Sequence, residues 1–173
     1  MGEPIARVPV SGTWVRHVPT GGEGLTTHRR GTPGRFHRPG EIALYLADGP
    51  ATAWAEWYRA LAERAQARND DVPRDLHQIA VSLSDVVDLS TAAARGKAGL
   101  PTRMRPAASQ WPMFQEFAST MRAEGAQALL YSSAARTRAL CLCVFESGLG
   151  GLRQAGQPLS VIAPPPPPRG LRT

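Results

Sequence analysis

The sequence predicts an α/β (α+β) fold: a compact single domain with a mixed central β-sheet and flanking helices. Three observations carry this. Short stretches with strand periodicity recur along the chain. Two stretches with helical periodicity lie between them. The length of 173 residues and an apolar fraction of 42% suit one well-buried core. No internal repeat is visible.

The elements follow in order. Trp14 to Val18 reads as a short strand, and Pro19 to Gly34, rich in Gly, Thr and Arg, reads as a loop. Glu41 to Ala47 alternates: Ile42, Leu44 and Leu46 share one face, Ala43, Tyr45 and Ala47 the other. Asp48-Gly49-Pro50 starts a helix, with Asp48 as N-cap and Pro50 tolerated in the first turn. That helix is expected to run to Arg68, with Trp54, Trp57, Tyr58, Leu61 and Ala65 as its core stripe. Asn69 to Arg74 is a polar break. His77 to Leu89 carries strand character, and Arg95 to Pro106, broken by Gly and Pro, reads as loop. Pro112 to Glu124 is a helix that buries Phe114, Phe117, Ala118 and Met121 and closes at Gly125. Ala128 to Tyr131 and Ala139 to Phe145 read as two strands. Pro164 to Pro168 is a polyproline II segment or tail, so the domain is placed at 1–163 and the tail at 164–173.

Composition narrows the function classes. No run of about 18 apolar residues is present, so no membrane helix is expected. Met1 to Arg7 lacks a basic start followed by an apolar core, so no secretory leader is expected and a cytoplasmic location is. The net charge is +6, and Lys97 is the only lysine, so the positive charge is nearly all arginine. Arginine forks suit phosphates and carboxylates. Cys141 and Cys143 lie two apart and share a strand face, a spacing that suits two reduced core thiols better than a disulfide. Four histidines without ligand spacing, and a lone C-x-C, give no metal site. Neither G-x-G-x-x-G entering a helix nor G-x-x-x-x-G-K-[ST] occurs.

The chemistry-bearing stretch runs from Gly34 to Glu56. A basic, glycine-bounded loop (Gly34-Arg35-Phe36-His37-Arg38) feeds a strand carrying Tyr45, then a helix carrying Glu56. Glu56 lies roughly 200° round that helix from Trp54 at about 100° per residue. Thr52, Ala53, Ala60 and Glu63 share its face, and the small ones leave space for an approaching ligand. Arg16 follows two apolar residues on the first strand, and with Arg35 it could clamp a pyrophosphate through bidentate bonds. His17, next to Arg16, is the histidine placed to approach the same site. Alone, each arginine is a surface charge and Glu56 a surface glutamate. Together, fixed cations, one aromatic ring and one carboxylate suit a phosphate-bearing ligand whose reacting carbon becomes cationic. That is the chemistry of breaking the nicotinamide–ribose bond of NAD.

The same residues resemble the RES-domain family. The matching features are Arg16 after a strand, the Gly34-Arg35-Phe36 loop, the Tyr45-Leu46 pair, and Glu56 eleven residues beyond the tyrosine. Further on come a helix, Gly125, and an apolar strand entering a turn with Ser133. The resemblance spans roughly residues 12 to 147, with 69 to 109 matching in outline. The chain departs from the family at three places. Ser132 stands where the family has Pro before its serine, Arg136 lies one place later than the family's arginine, and Pro33 replaces a glycine. Ser132 and Ser133 are therefore alternatives for the functional serine, with Ser133 preferred.

The resemblance implies a fold related to ADP-ribosyltransferases and a bacterial toxin that cleaves NAD as its substrate, without a metal. The acceptor of ADP-ribose would be phosphate, water or a host protein. It implies a cognate, Xre-like antitoxin as partner, for which His28, Arg29, Arg30, Arg35 and Arg38 form a basic rim. In this scheme Arg16 and Arg35 hold the pyrophosphate, Tyr45 packs on the nicotinamide or its ribose, Glu56 stabilises the oxocarbenium-like centre, and Ser133 bonds the ribose or the amide. Two other readings compete: a protein ADP-ribosyltransferase that spares the NAD pool, and a basic nucleic-acid-binding module. The second needs aromatics interleaved with arginines on an exposed face, whereas these aromatics follow a core stripe.

Overall fold

The computed structural model describes residues 4–26, 33–63, 73–104, 108–162 and 166. In chain order these form β1 (Arg7–Pro19), β2 (Ala43–Ala47), α1 (Pro50–Glu63), β3 (Arg74–Leu89), α2 (Ala92–Lys97), α3 (Trp111–Ala123), β4 (Ala128–Ser132), β5 (Leu140–Phe145), β6 (Leu152–Gln154) and β7 (Leu159–Val161). β1 and β3 form a long antiparallel ribbon, in register from Arg7↔Val87 to Pro19↔Arg74 with one shift between Val8 and Val10. β3 continues into a parallel pairing with β4, from Val86↔Ala128 to Leu89↔Tyr131. A parallel pair needs a crossover, which α2 and α3 supply. β4 pairs β5, β5 pairs β2, and β2 meets β1 at Val15↔Ala47, all antiparallel. The mixed sheet thus returns to its first strand. β6 and β7 extend the remaining edge of β3.

Hydrophobic patterning explains this arrangement. Ile79, Val81 and Leu83 are buried and alternate with exposed residues, as a one-sided strand requires. Val86 and Val87 are both buried, because β3 there has core on both faces. One core cluster joins Trp14, Leu44, Leu46, Ile79, Val81, Leu142 and Val144. The other joins Ala43, Val87, Leu89, Phe114, Ala118, Met121, Cys141, Cys143 and Phe145, with Tyr45 packed against it. The alternation expected for β2 therefore holds, as does the burial of both cysteines as free thiols. α3 buries Phe114, Ala118 and Met121, and Gly125 at φ +85° ends it.

Several expectations are corrected. The first strand is longer than Trp14–Val18, because its N-terminal half pairs with β3. The stretch from Arg95 is not all loop. Thr91 caps the short helix α2, accepting from Ala94 N at 3.1 Å, and the guanidinium of Arg95 is buried and donates to Leu89 O at 2.7 Å and to Thr102 O at 2.6 Å. Gly96, Gly99 and Pro101 masked that helix in the sequence. Asp48 does not cap α1: its carboxylate accepts from Leu140 N at 2.7 Å, tying β2 to β5, while Thr52 N and Ala53 N bond to Gly49 O. β6 was not anticipated, since three residues carry no readable period, and β7 adds a short edge strand against β3. The expected extension of α1 to Arg68 lies outside the described residues beyond Glu63. The proline-rich tail also lies outside them except for Pro166, as do His28, Arg29 and Arg30 of the basic rim.

Candidate active site

A cleft of about 650 Å³ is lined by Arg16, His17, Arg35, Tyr45 and Glu56, together with Trp57, Arg74, Trp111 and Tyr131. Five of the six sequence-predicted site residues thus share one wall system, although they come from β1, the Gly34 loop, β2 and α1. Ser133 does not line it. Its hydroxyl lies behind Glu56 and donates to Glu56 Oε1 at 2.6 Å.

The Glu56 carboxylate is anchored through that one oxygen. Oε1 also accepts from Ala134 N at 2.9 Å and Ala135 N at 3.3 Å. Oε2 has no partner among the described residues, so it is the oxygen open to a ligand. Ser133 Oγ in turn accepts from Ala135 N and Arg136 N at 3.1 and 3.0 Å. Arg136 donates to the buried Thr52 Oγ1 at 2.9 Å, clamping the serine turn to α1. The displaced arginine therefore keeps a place in the turn. Of the two serines, Ser133 meets Glu56, while the Ser132 hydroxyl accepts from Arg95 at 3.0 Å.

The Gly34 loop is fixed from three sides. Gly34 and His37 form a bridge, and the Tyr45 hydroxyl accepts from Phe36 N at 3.1 Å and lies 2.9 Å from His37 Nδ1. α3 supplies Gln115, which donates to Gly34 O at 2.8 Å and His37 O at 3.1 Å, and Arg122, which donates to Phe36 O at 2.7 Å. A Cβ on Gly34 would meet the His37 ring at 2.5 Å and the Tyr45 hydroxyl at 2.8 Å, so only glycine allows this approach. Phe36 is fully buried against Phe114 and Tyr131. Burial, reinforced by neighbouring Cys143, pushes the Tyr45 phenol well above its ordinary pKa. The Tyr45 phenol is therefore neutral at physiological pH.

The cations differ in how firmly they are engaged. Arg16 donates through Nη1 to Gly24 O at 3.1 Å and to Thr26 O. Burial, then the nearby Arg74 cation, lowers its pKa to about 10, so it remains charged at neutral pH. Arg35 lies over the Tyr131 ring at 5.7 Å, and its buried Nε has no hydrogen-bond partner among the described residues. The Trp111 indole N–H is likewise buried and unpartnered there. Arg38, a member of the expected basic rim, is paired with Glu116 at 2.6 Å.

His17 sits face to face with Trp54, ring centroids 4.3 Å apart. Its Nδ1 accepts from Arg74 Nε at 2.6 Å, which leaves Nε2–H to face Ala53 O at 3.3 Å. Burial and the Arg74 cation depress its pKa to about 3. A neutral His17 thus fixes Arg74, whose guanidinium lies 5.1 Å over Trp57. Gln115, Arg122, Arg74, Trp111 and Tyr131 were not singled out as site residues from the sequence. Tyr131 alone carried a local signal, its place just before the serine turn. Among the described residues no cluster suited to a metal occurs, and no helix is long and apolar enough to cross a membrane.

Comparison with known proteins bears on the fold and the family. The fold matches a chain in the crystal structure of the M. tuberculosis MbcT–MbcA toxin–antitoxin complex, with TM-score 0.77, 23% identity, and coverage of 90% of this chain and 86% of that one. No curated protein sequence is a match. The RES domain family matches residues 4–162, wider than the 12–147 read from motifs, and the chain is a member of the RES domain family.

Proposed function

We propose that this chain is the cytoplasmic toxin of a toxin–antitoxin pair and that it cleaves NAD at the nicotinamide–ribose bond. The observation that carries the reading is Glu56, fixed through Oε1 by the Ser133 turn and lining a cleft that also holds Arg16, Arg35 and Tyr45. The arginines hold the pyrophosphate and orient the dinucleotide. Tyr45 and Tyr131 wall the nicotinamide and its ribose. As the C1–N bond lengthens, its electron pair passes to the pyridinium nitrogen and nicotinamide leaves neutral. Positive charge grows on the ribose carbon, and the preorganised Glu56 Oε2 stabilises it without reorganising. An acceptor oxygen, from phosphate or water, then bonds to C1, and a water acceptor releases one proton to solvent as its O–H bond breaks. Ser133 serves as a positioning residue, not as a ligand group.

The match to a chain of a toxin–antitoxin complex supports an antitoxin partner. Expression without that partner should arrest growth and lower cellular NAD, and Glu56→Ala at equal expression should do neither. Equal tolerance of both proteins would refute this function. Unchanged NAD with a modified host protein would point to protein ADP-ribosylation instead.

A further inference from the structure

A second cavity, about 490 Å³, lies on the other side of the serine turn and is lined by Arg95, Thr102, Arg103, Ser132, Arg136 and Arg138. Four arginines therefore line one concavity. No carboxylate lines it, and none of the four is paired with a carboxylate among the described residues. Arg95 and Arg136 are held internally, by Leu89 O, Thr102 O and Ser132 and by Thr52 respectively, so two charges are fixed in place. Arg103 and Arg138 are exposed and can close on a ligand. Arg138 sits at φ +60°, an unfavourable backbone for a residue other than glycine, and this conformation occurs at the rim of the cavity.

Like charges gathered without a counter-ion repel, and an anion among them relieves that repulsion. Guanidinium forks match the oxygens of a phosphoryl group. The volume falls within the roughly 300–1,000 Å³ of small-ligand sites. We propose that this cavity is an anion site that takes a phosphoryl group, as free orthophosphate or as the phosphate of a mononucleotide. It is separate from the Glu56 cleft: no residue lines both. The two are neighbours through the serine turn, because Ser133 lines this cavity while its hydroxyl holds Glu56. An anion drawing on Arg136 bears on the same turn, through Arg136 N to Ser133 Oγ.

The test is titration calorimetry on the full chain at constant ionic strength, with orthophosphate and, separately, AMP. Saturable binding of one of them is expected. It should weaken by about tenfold or more in Arg103→Ala/Arg138→Gly, which removes two charge-assisted contacts. Glycine at 138 keeps the left-handed backbone, and Arg103→Glu provides a second variant that leaves position 138 untouched. The titrations are repeated in Arg35→Ala, which weakens phosphate binding in the Glu56 cleft, and saturable binding at this cavity should persist there within about twofold. Binding of orthophosphate assigns free phosphate, and binding of AMP alone assigns a nucleotide. Heat reproduced by chloride, an affinity unchanged in the Arg103 variants, or an affinity lost in Arg35→Ala would overturn the site. Binding is read without turnover, so its failure is distinct from failure of the NAD reading.

Discussion

The Ser133 hydroxyl donates to Glu56 Oε1 at 2.6 Å, linking the turn after β4 to α1 across 77 residues of sequence. It makes the serine a support for the carboxylate. Ser133→Ala should therefore lower nicotinamide release by roughly 10–100-fold, matching the ~1.5–3 kcal/mol of a hydrogen bond to a charged group. The NAD KM should move less than kcat. Ser132→Ala, whose hydroxyl meets Arg95 instead, should stay near wild type. A larger loss in Ser132→Ala would reverse the assignment.

The two arginines should behave differently. Arg35 has a buried, unpartnered Nε and no carboxylate partner among the described residues. Arg35→Ala should raise the NAD KM with little change in melting temperature. Arg16 also ties down Gly24 and Thr26, so Arg16→Ala should weaken binding and lower the melting temperature together. Calorimetry with NAD beside a thermal melt separates the cases. An Arg35→Ala protein that melts early yet binds normally would make that arginine structural.

His17 gives a pH signature. Its folded pKa, about 3, lies below its ordinary value, so the unfolded chain takes up a proton first as pH falls. The stability tied to neutral His17 is fully present above about pH 6.5 and declines as pH falls toward 3. His17→Gln should flatten the fall of melting temperature over that window. Parallel curves for the two proteins would remove His17 from the acid response.

Gln115 should matter to the Gly34 loop. It is a second donor to the carbonyls of Gly34 and His37, which also accept from each other's N–H, so Gln115→Leu removes two hydrogen bonds at about 0.5–1.5 kcal/mol each. A clear drop in melting temperature is expected, with a raised NAD KM because Arg35 rides on this loop. An unchanged melt would show that the loop is held without Gln115.

The parts legible in the sequence were those with local cause. The alternation of β2 placed Tyr45 and Leu44 on opposite faces, and the helical period set Glu56 apart from Trp54. The Gly34-Arg35-Phe36 loop was readable because glycine, cation and aromatic lie together. What could not be read was set by tertiary pairing. Gln115 and Arg122 reach the loop across about 80 positions, and nothing in their own helix marks them. The true length of β1 depends on β3 as its partner. Arg95 looked like part of a basic loop, because the carbonyls that bury it come from Leu89 and Thr102.

The central claim is that the Glu56 cleft breaks the nicotinamide–ribose bond. It is tested most directly by incubating the purified full chain with NAD, with and without phosphate, and following free nicotinamide and the ribosyl product by mass. Wild type should release nicotinamide with a matching ADP-ribose or ADP-ribose-phosphate product, and Glu56→Gln should lower the rate by at least about 100-fold, as loss of a transition-state electrostatic contact does. No nicotinamide above the Glu56→Gln background, under either condition, would contradict the account.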